Sequence, residues 1–348
     1  MKLRVGVVGL GDAWNSRHRP ALHALNDRYE VRAVCSEVSL LTEQAAREFN
    51  AAPVDGFRTL IARDDIDAVL VLSSEWYGPQ PILAACDYGK AVYCASPLDI
   101  EPDRAIEVRD RLEEAGIAFM AEFPRRLSPA TLRLKELIAT RLGRPRLLFC
   151  HTRALDKPDP TRRHLRAKCP ETMRSLMELV DWCCYVVDRE PSSVFGVLHR
   201  ETPDGFHVDY QMMSLDFSPQ GNYGTDALAQ ISCGRYMPAN WPEAIAFRRP
   251  SEMQVRCERG IAFIDLPSTL VWFDEAGRHM ESLESDRPVG EQLLTQFHRA
   301  VTSLVRKTTD LDDAYRALNI VMASTTSCTM GRREPLDFLT TPHGESED

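Results

Sequence analysis

The sequence predicts an α/β protein: an N-terminal doubly wound parallel sheet over residues 1–122, then an α+β domain over residues 123–338 built on an open, mainly antiparallel sheet. Three observations carry this. Apolar, β-branched runs alternate with helical patterns through the first third, as strands buried on both faces require. A Gly-x-Gly turn follows the first of these runs directly. After about residue 123 the texture changes, and from Ser193 short strand-like runs follow, several of which alternate polar and apolar, as antiparallel strands with one wet face do.

Each element follows from its residues. Leu3–Val8 is a buried strand, and residues 16–25 read as the helix after it. Tyr29–Cys35 is the second strand, and Ser39–Phe49, with alanines and paired charges, the second helix. Asp67–Leu72 is another buried strand, followed by a helix over Gln80–Tyr88. Ala91–Cys94 is short and apolar; Pro102–Ala115 is a charged amphipathic helix opened by Glu-Pro. Ala118–Glu122 closes the series. Beyond it, Pro129–Thr140 reads as a helix, Pro145–Thr152 as a strand, residues 153–172 as a polar basic loop and Met173–Asp188 as a buried helix. SVFGVLH, YQMMSLDF, ALAQISC, SEMQVRC, GIAFIDL and TLVWF are strand-like runs between Ser193 and Phe273; Gly290–Val305 and Asp310–Gly331 return to helix. The acidic segment 339–348 reads as a disordered tail.

Composition narrows the function class. At 348 residues, 44% hydrophobic and 27% charged, the chain has the make-up of a globular protein with two domains. A net charge of −9 argues against nucleic acid as a partner. No apolar run approaches a membrane span and no leader pattern opens the chain, so a cytoplasmic protein with no membrane partner is expected. The ten cysteines show no Cys-x-x-Cys spacing, so buried free thiols and no metal are expected.

The loop Gly9-Leu10-Gly11-Asp12-Ala13-Trp14 is the candidate dinucleotide site. Two glycines let the backbone turn tightly and approach a pyrophosphate at a helix N-terminus. Trp14 stands in the third glycine's place and is expected to make the loop bulkier. At the end of the second strand, Ser36 occupies the acid position and Glu37 follows; no Arg appears before Arg47. A carboxylate there repels a 2′-phosphate, which slightly favours NAD over NADP; the alternative is a solvated loop glutamate. Ser73, Ser74 and Glu75 at the end of the predicted strand Asp67–Leu72 complete the expected cofactor contacts.

VGVVGLG, DDIDAVLVLSS, GKAVYCASPLDI, EFPRRLSPATLRLKELI, PVGEQLLTQFHRAVTSL and LDDAYRALNIVMASTTSCTMGRREPL, in this order and spacing, resemble the glucose–fructose oxidoreductase / inositol dehydrogenase / MocA (Gfo/Idh/MocA) family along nearly the whole chain. The resemblance implies a Rossmann domain, a substrate domain on an open antiparallel sheet, and NAD(P)-linked chemistry on a sugar, cyclitol or related small polyol. It also locates departures. The family's Glu-Lys-Pro motif supplies a lysine that relays a proton and stabilises developing charge; here Ala95 and Ser96 hold the Glu and Lys places. The family's Asp and, four residues later, His on one helix face correspond to Glu178 and Trp182, and Gly78 stands for a further His.

Replacements are sought in the loop ALDKPDPTRRHLRAKCPET. One of His164 or Lys168 is the candidate proton donor, with Ser96 and Glu178 touching substrate. Lys157, Arg162, Arg163 and Arg166 form the surrounding basic cluster; a solvated basic loop is the bland alternative. Arg126, Arg163 and Trp182 are the substrate-side candidates, with Arg126 also readable as a brace between domains. Three functions remain open: an NAD(P)-dependent oxidoreductase with non-standard acid–base residues; a catalytically inactive nucleotide- or sugar-binding sensor or partner; or cofactor-retaining non-redox chemistry. A small-molecule substrate and a homodimer or homotetramer through the second domain are expected.

Overall fold

The computed structural model describes residues 2–73, 77–95, 102–156, 171–200, 208–247, 251–265, 267–284, 287–303 and 309–337. Its first sheet contains β1 (Leu3–Val8), β2 (Tyr29–Cys35), β3 (Ala52–Pro53), β4 (Ala68–Val71), β5 (Ala91–Cys94) and β6 (Phe119–Ala121). All pairs are parallel, in the order β3-β2-β1-β4-β5-β6. The order reverses beside β1, which opens a crevice at the strands' C-terminal ends, where such sheets bind ligands.

Helices α1 (Arg19–Ala24), α2 (Ser39–Phe49), α3 (Phe57–Ile61), α4 (Gln80–Asp87) and α5 (Pro102–Ala115) connect the strands. Side chains of α3, α4 and α5 join one face of the sheet and those of α1 and α2 the other. That second face is completed from far along the chain. Leu293, Leu294 and Phe297 of α9 (Val289–Thr302) pack with Val5, Val7 and Tyr93. The Tyr29 hydroxyl donates to the Leu294 carbonyl at 2.5 Å. One helix of the segment assigned to the second domain thus belongs to the core of the first.

The remaining elements are α6 (Pro129–Leu137), β7 (Pro145–Asp156), α7 (Glu171–Val187), β8 (Ser193–Arg200), β9 (Val208–Asp216), β10 (Leu228–Pro238), α8 (Pro242–Ala246), β11 (Met253–Cys257), β12 (Gly260–Asp265), β13 (Thr269–Asp274), β14 (Gly277–Ser282), α10 (Thr309–Met330) and β15 (Glu334–Pro335). The second sheet is nine-stranded, in the order β14-β13-β12-β11-β7-β10-β9-β8-β15. It is mixed: β7 and β10 run parallel, while the other pairs are antiparallel. Residues such as Leu148, Cys150, Met213, Ile231, Met253 and Ala262 point into the core with α7 and α10. Their neighbours Leu147, Phe149, Phe195, Val197, Phe273 and Met280 remain exposed on the opposite face.

The nine described cysteines are free thiols, all buried except the half-buried Cys328. Among the described residues, no helix is long and apolar enough to cross a membrane.

Candidate active site at the ends of the parallel strands

The glycine loop fits its place by contact rather than by composition alone. Gly9 adopts a φ of +78°, and a Cβ there would lie 2.6 Å from that of Ser73. A Cβ on Gly11 would lie 2.2 Å from the Leu72 carbonyl oxygen. The Gly9 amide donates to the Cys35 carbonyl at 2.8 Å, so the loop is tied to the ends of both neighbouring strands. Only glycine permits this approach.

Trp14 does not obstruct the loop, contrary to the expectation from its size. It is buried, packs beside Phe49 at 5.9 Å between ring centroids and joins the core on the α1/α2 face. It opens a wide turn, Trp14–His18, in which the Ala13 carbonyl accepts from both the Arg17 and His18 amides. The indole anchors the turn from beneath, while Asp12 remains exposed and Ala13 half-buried.

At the end of β2 the Ser36 hydroxyl is engaged locally: its oxygen lies 2.8 Å from Thr42 Oγ1 and it donates to the Val38 carbonyl. Glu37 is therefore the acid at this strand end. Burial raises the pKa of the adjacent Cys35 thiol; a 3.7 Å contact with the Tyr77 hydroxyl opposes the rise and the Glu37 charge adds to it. Ser73 is half-buried against Gly9. Ser74, Glu75 and Ser96 lie outside the described residues, as do Lys157, Arg162, Arg163, His164, Arg166 and Lys168.

The domain crossing supplies a further group of charges, around the Glu178 candidate. Glu178 is half-buried on α7, with Arg125 Nε 3.6 Å from its Oε2. Arg125 also donates to Glu252 at 2.8 Å and lies over the Trp182 ring at 5.1 Å. Glu178 and Trp182, four residues apart, thus meet one guanidinium, as their spacing on a helix predicts. Trp182, expected on the substrate side, is turned into the core instead. It is fully buried, and its Nε1–H donates to Thr131 Oγ1 at 2.9 Å.

Arg126 has the contacts of the brace between domains. It pairs with Asp181, and with Asp313 at 2.8 Å, and stacks on Phe123 and Tyr185. Burial opposes its charge, but Asp181 and Asp313 outweigh that and raise its pKa. With both carboxylates held, Arg126 braces the crossing to α7 and α10.

The sequence reading missed a buried polar cluster beside the loop. Glu122 is 1% exposed and accepts from Tyr93 at 2.8 Å and from His18 Nε2 at 2.7 Å, and pairs with Arg17. Burial, then the Arg17 charge, lowers the His18 pKa to about 3, so the ring is neutral and donates through Nε2. A lone Glu at the end of a predicted strand was the only sequence signal.

Comparison with known proteins agrees with this architecture. Residues 3–123 match the family model GFO_IDH_MocA, described as an oxidoreductase family with an NAD-binding Rossmann fold. A D-xylose 1-dehydrogenase (NADP(+)) of Haloferax volcanii is 32% identical over 133 residues, 37% of this chain and 36% of that protein. An inositol 2-dehydrogenase of Mycolicibacterium smegmatis is 28% identical over 235 residues, covering 60% of this chain and 65% of that protein. The matched stretches therefore span from about a third to just under two thirds of these relatives' length. The fold match is more complete. The aldose-aldose oxidoreductase of Caulobacter crescentus superposes with a TM-score of 0.81 at 16% identity, covering 97% of this chain and 100% of that one.

Proposed function

We propose that this chain, whose Rossmann domain belongs to the GFO_IDH_MocA oxidoreductase family, is a nicotinamide-dependent dehydrogenase of a sugar, cyclitol or related small polyol. The observation that carries the reading is the glycine loop: Gly9 and Gly11 press on Ser73 and Leu72, and Trp14 is turned into the core. A backbone cradle for a pyrophosphate therefore stands at the sheet's switch point. The cofactor brings the hydride chemistry; the chain's residues bind and orient it. Glu37 at the end of β2 favours NAD, because its carboxylate would repel a 2′-phosphate. Glu178, beside Arg125, is the candidate carboxylate on the substrate side.

A second reading is a protein that binds the same ligands without turnover. The buried indole of Trp182 and the methyl of Ala95, at two places where the family pattern carries ionisable groups, favour it.

Titration with NADH and NADPH, followed by tryptophan quenching and nicotinamide fluorescence, tests the first reading; a screen of polyols and aldoses then separates the two. NADH is expected to bind more tightly than NADPH. Failure of both to bind at millimolar concentration overturns the dehydrogenase reading, and binding without turnover on any polyol favours the second.

A homo-oligomer through the second sheet belongs to the same proposal. Leu147, Phe149, Phe195, Val197, Phe273 and Met280 expose an apolar band on its uncovered face. Apolar bands that cross a whole sheet mark interaction surfaces, and a second copy would cover this one isologously.

A further inference from the structure

We infer that Glu122 is a positioning residue for the dinucleotide site, holding the turn after the glycine loop to the ends of β5 and β6. The inference rests on the dehydrogenase reading and deepens it.

The cluster joins segments remote in sequence. Arg17 and His18 end the turn that begins at Trp14; Tyr93 lies on β5; Glu122 directly follows β6. Three donors converge on one carboxylate that has no access to water. Donors of this number hold a buried carboxyl group in one place. The His18 ring is correspondingly pinned: its Nε2–H faces Glu122, and its buried Nδ1 has no hydrogen-bond partner among the described residues. From the outer side, α9 closes on the same turn. A Cβ on Gly290 would lie 2.7 Å from the Arg17 carbonyl oxygen, so helix and turn touch through backbone.

The register adds a second observation. Cys94 pairs with Ala121, and the Glu122 amide donates to the Cys94 carbonyl at 2.9 Å. Glu122 is therefore level with Ala95 on the neighbouring strand. Ala95, Tyr93 and Met120 belong to the core on the α1/α9 side, the side from which His18 reaches Glu122. A carboxylate absent from position 95, just past β5, is thus present one strand over, on the same face. Because it is buried and fully engaged, it does not meet substrate. It acts through the turn it holds, and so through the placement of Gly9 and Gly11 against β4.

The test uses the full-length Glu122→Ala, Glu122→Gln and Ala95→Glu/Glu122→Ala variants. NADH affinity is measured by fluorescence, and backbone hydrogen exchange is measured without ligand. Loss of charge-assisted hydrogen bonds predicts NADH binding weakened by about tenfold or more in Glu122→Ala. Glu122→Gln, which keeps the shape, should lose less. The double variant, with its carboxylate moved to just past β5, should recover most of the affinity. Exchange in Glu122→Ala should accelerate at residues 14–18 and 92–95 and remain unchanged in β10 and β12. Wild-type NADH affinity in Glu122→Ala, no recovery in the double variant, or uniform acceleration across the molecule would each overturn the inference. Should the wild-type chain bind no dinucleotide, the dehydrogenase reading fails by itself, and the exchange pattern still decides whether Glu122 holds the turn.

Discussion

Gly11→Ala isolates the glycine loop's contribution. The added Cβ would sit 2.2 Å from the Leu72 carbonyl oxygen. Carbon and oxygen in ordinary contact are separated by more than 3 Å, so something must move by about 1 Å, a displacement for which overpacking typically costs about 1–3 kcal/mol. The oxygen is not free to give: the Leu72 amide is hydrogen-bonded to the Val8 carbonyl at 2.9 Å, and the next residue packs on Gly9. The loop yields instead. Without ligand it moves off β4 and relieves most of the strain. A bound pyrophosphate must draw it back, so the strain reappears in the binding constant. At 1.4 kcal/mol per tenfold, NADH affinity should fall by about 5- to 100-fold, while the melting temperature changes little. Fluorescence titration and thermal denaturation of the same preparation measure both. Gly56→Ala is the control, since a Cβ there meets nothing within 4 Å. NADH affinity within twofold of wild type in Gly11→Ala would refute the argument that this contact shapes the site.

The second expectation concerns Trp182: truncation to Ala should destabilise the fold by about 3–5 kcal/mol in urea denaturation, and Phe by about 1–2 kcal/mol, since it retains volume and loses the bond to Thr131. A loss below about 1 kcal/mol for Trp182→Ala would contradict its place in the core. The third concerns acid stability: the Arg4 side chain, which hydrogen-bonds Asp67 at 2.5 and 3.0 Å, lowers the Asp67 pKa from 3.8, so its contribution is present at neutral pH and lost as pH falls below the ordinary carboxylate range. Asp67→Asn should melt lower than wild type at pH 7 and show a flatter decline between pH 4 and 2; parallel melting curves across that window would exclude the linkage.

The sequence was most legible where burial imposes a regular pattern, on both faces of a strand or along one face of a helix. β1, β2, α2, β5 and α5 have the bounds read from their residues. β3, with two residues, and α3, with five, carry too few side chains for a period to register. The β7–β10 parallel pair also escaped, because its long crossover looks in sequence like the other connections. Site residues divide in the same way. The glycine turn is a local signal; the inward course of Trp14 depends on Phe49, and the burial of Trp182 depends on Thr131. Glu122 and His18 are 104 residues apart, so no local window contains their pairing.

The departures from the family pattern bear unequally on the two halves of the site. The dinucleotide half is made chiefly of backbone: a positive-φ glycine, a carbonyl edge and strand ends. Replacing a third glycine by Trp14 leaves that geometry intact because the side chain points into the core. The acid–base half must be made of side chains, since backbone groups do not titrate near neutral pH. There each substitution acts directly: Trp182 has no proton to exchange at neutral pH, and Ala95 has none at all. Arg125, held by Glu178 and Glu252 over the Trp182 ring, brings a permanent positive charge to this region, and a guanidinium stabilises negative charge without relaying a proton. On the proposed dehydrogenase reading, cofactor binding and turnover are therefore separable. A Ser96→Lys variant should be judged on polyol oxidation at saturating NAD+, where the binding half no longer limits the rate.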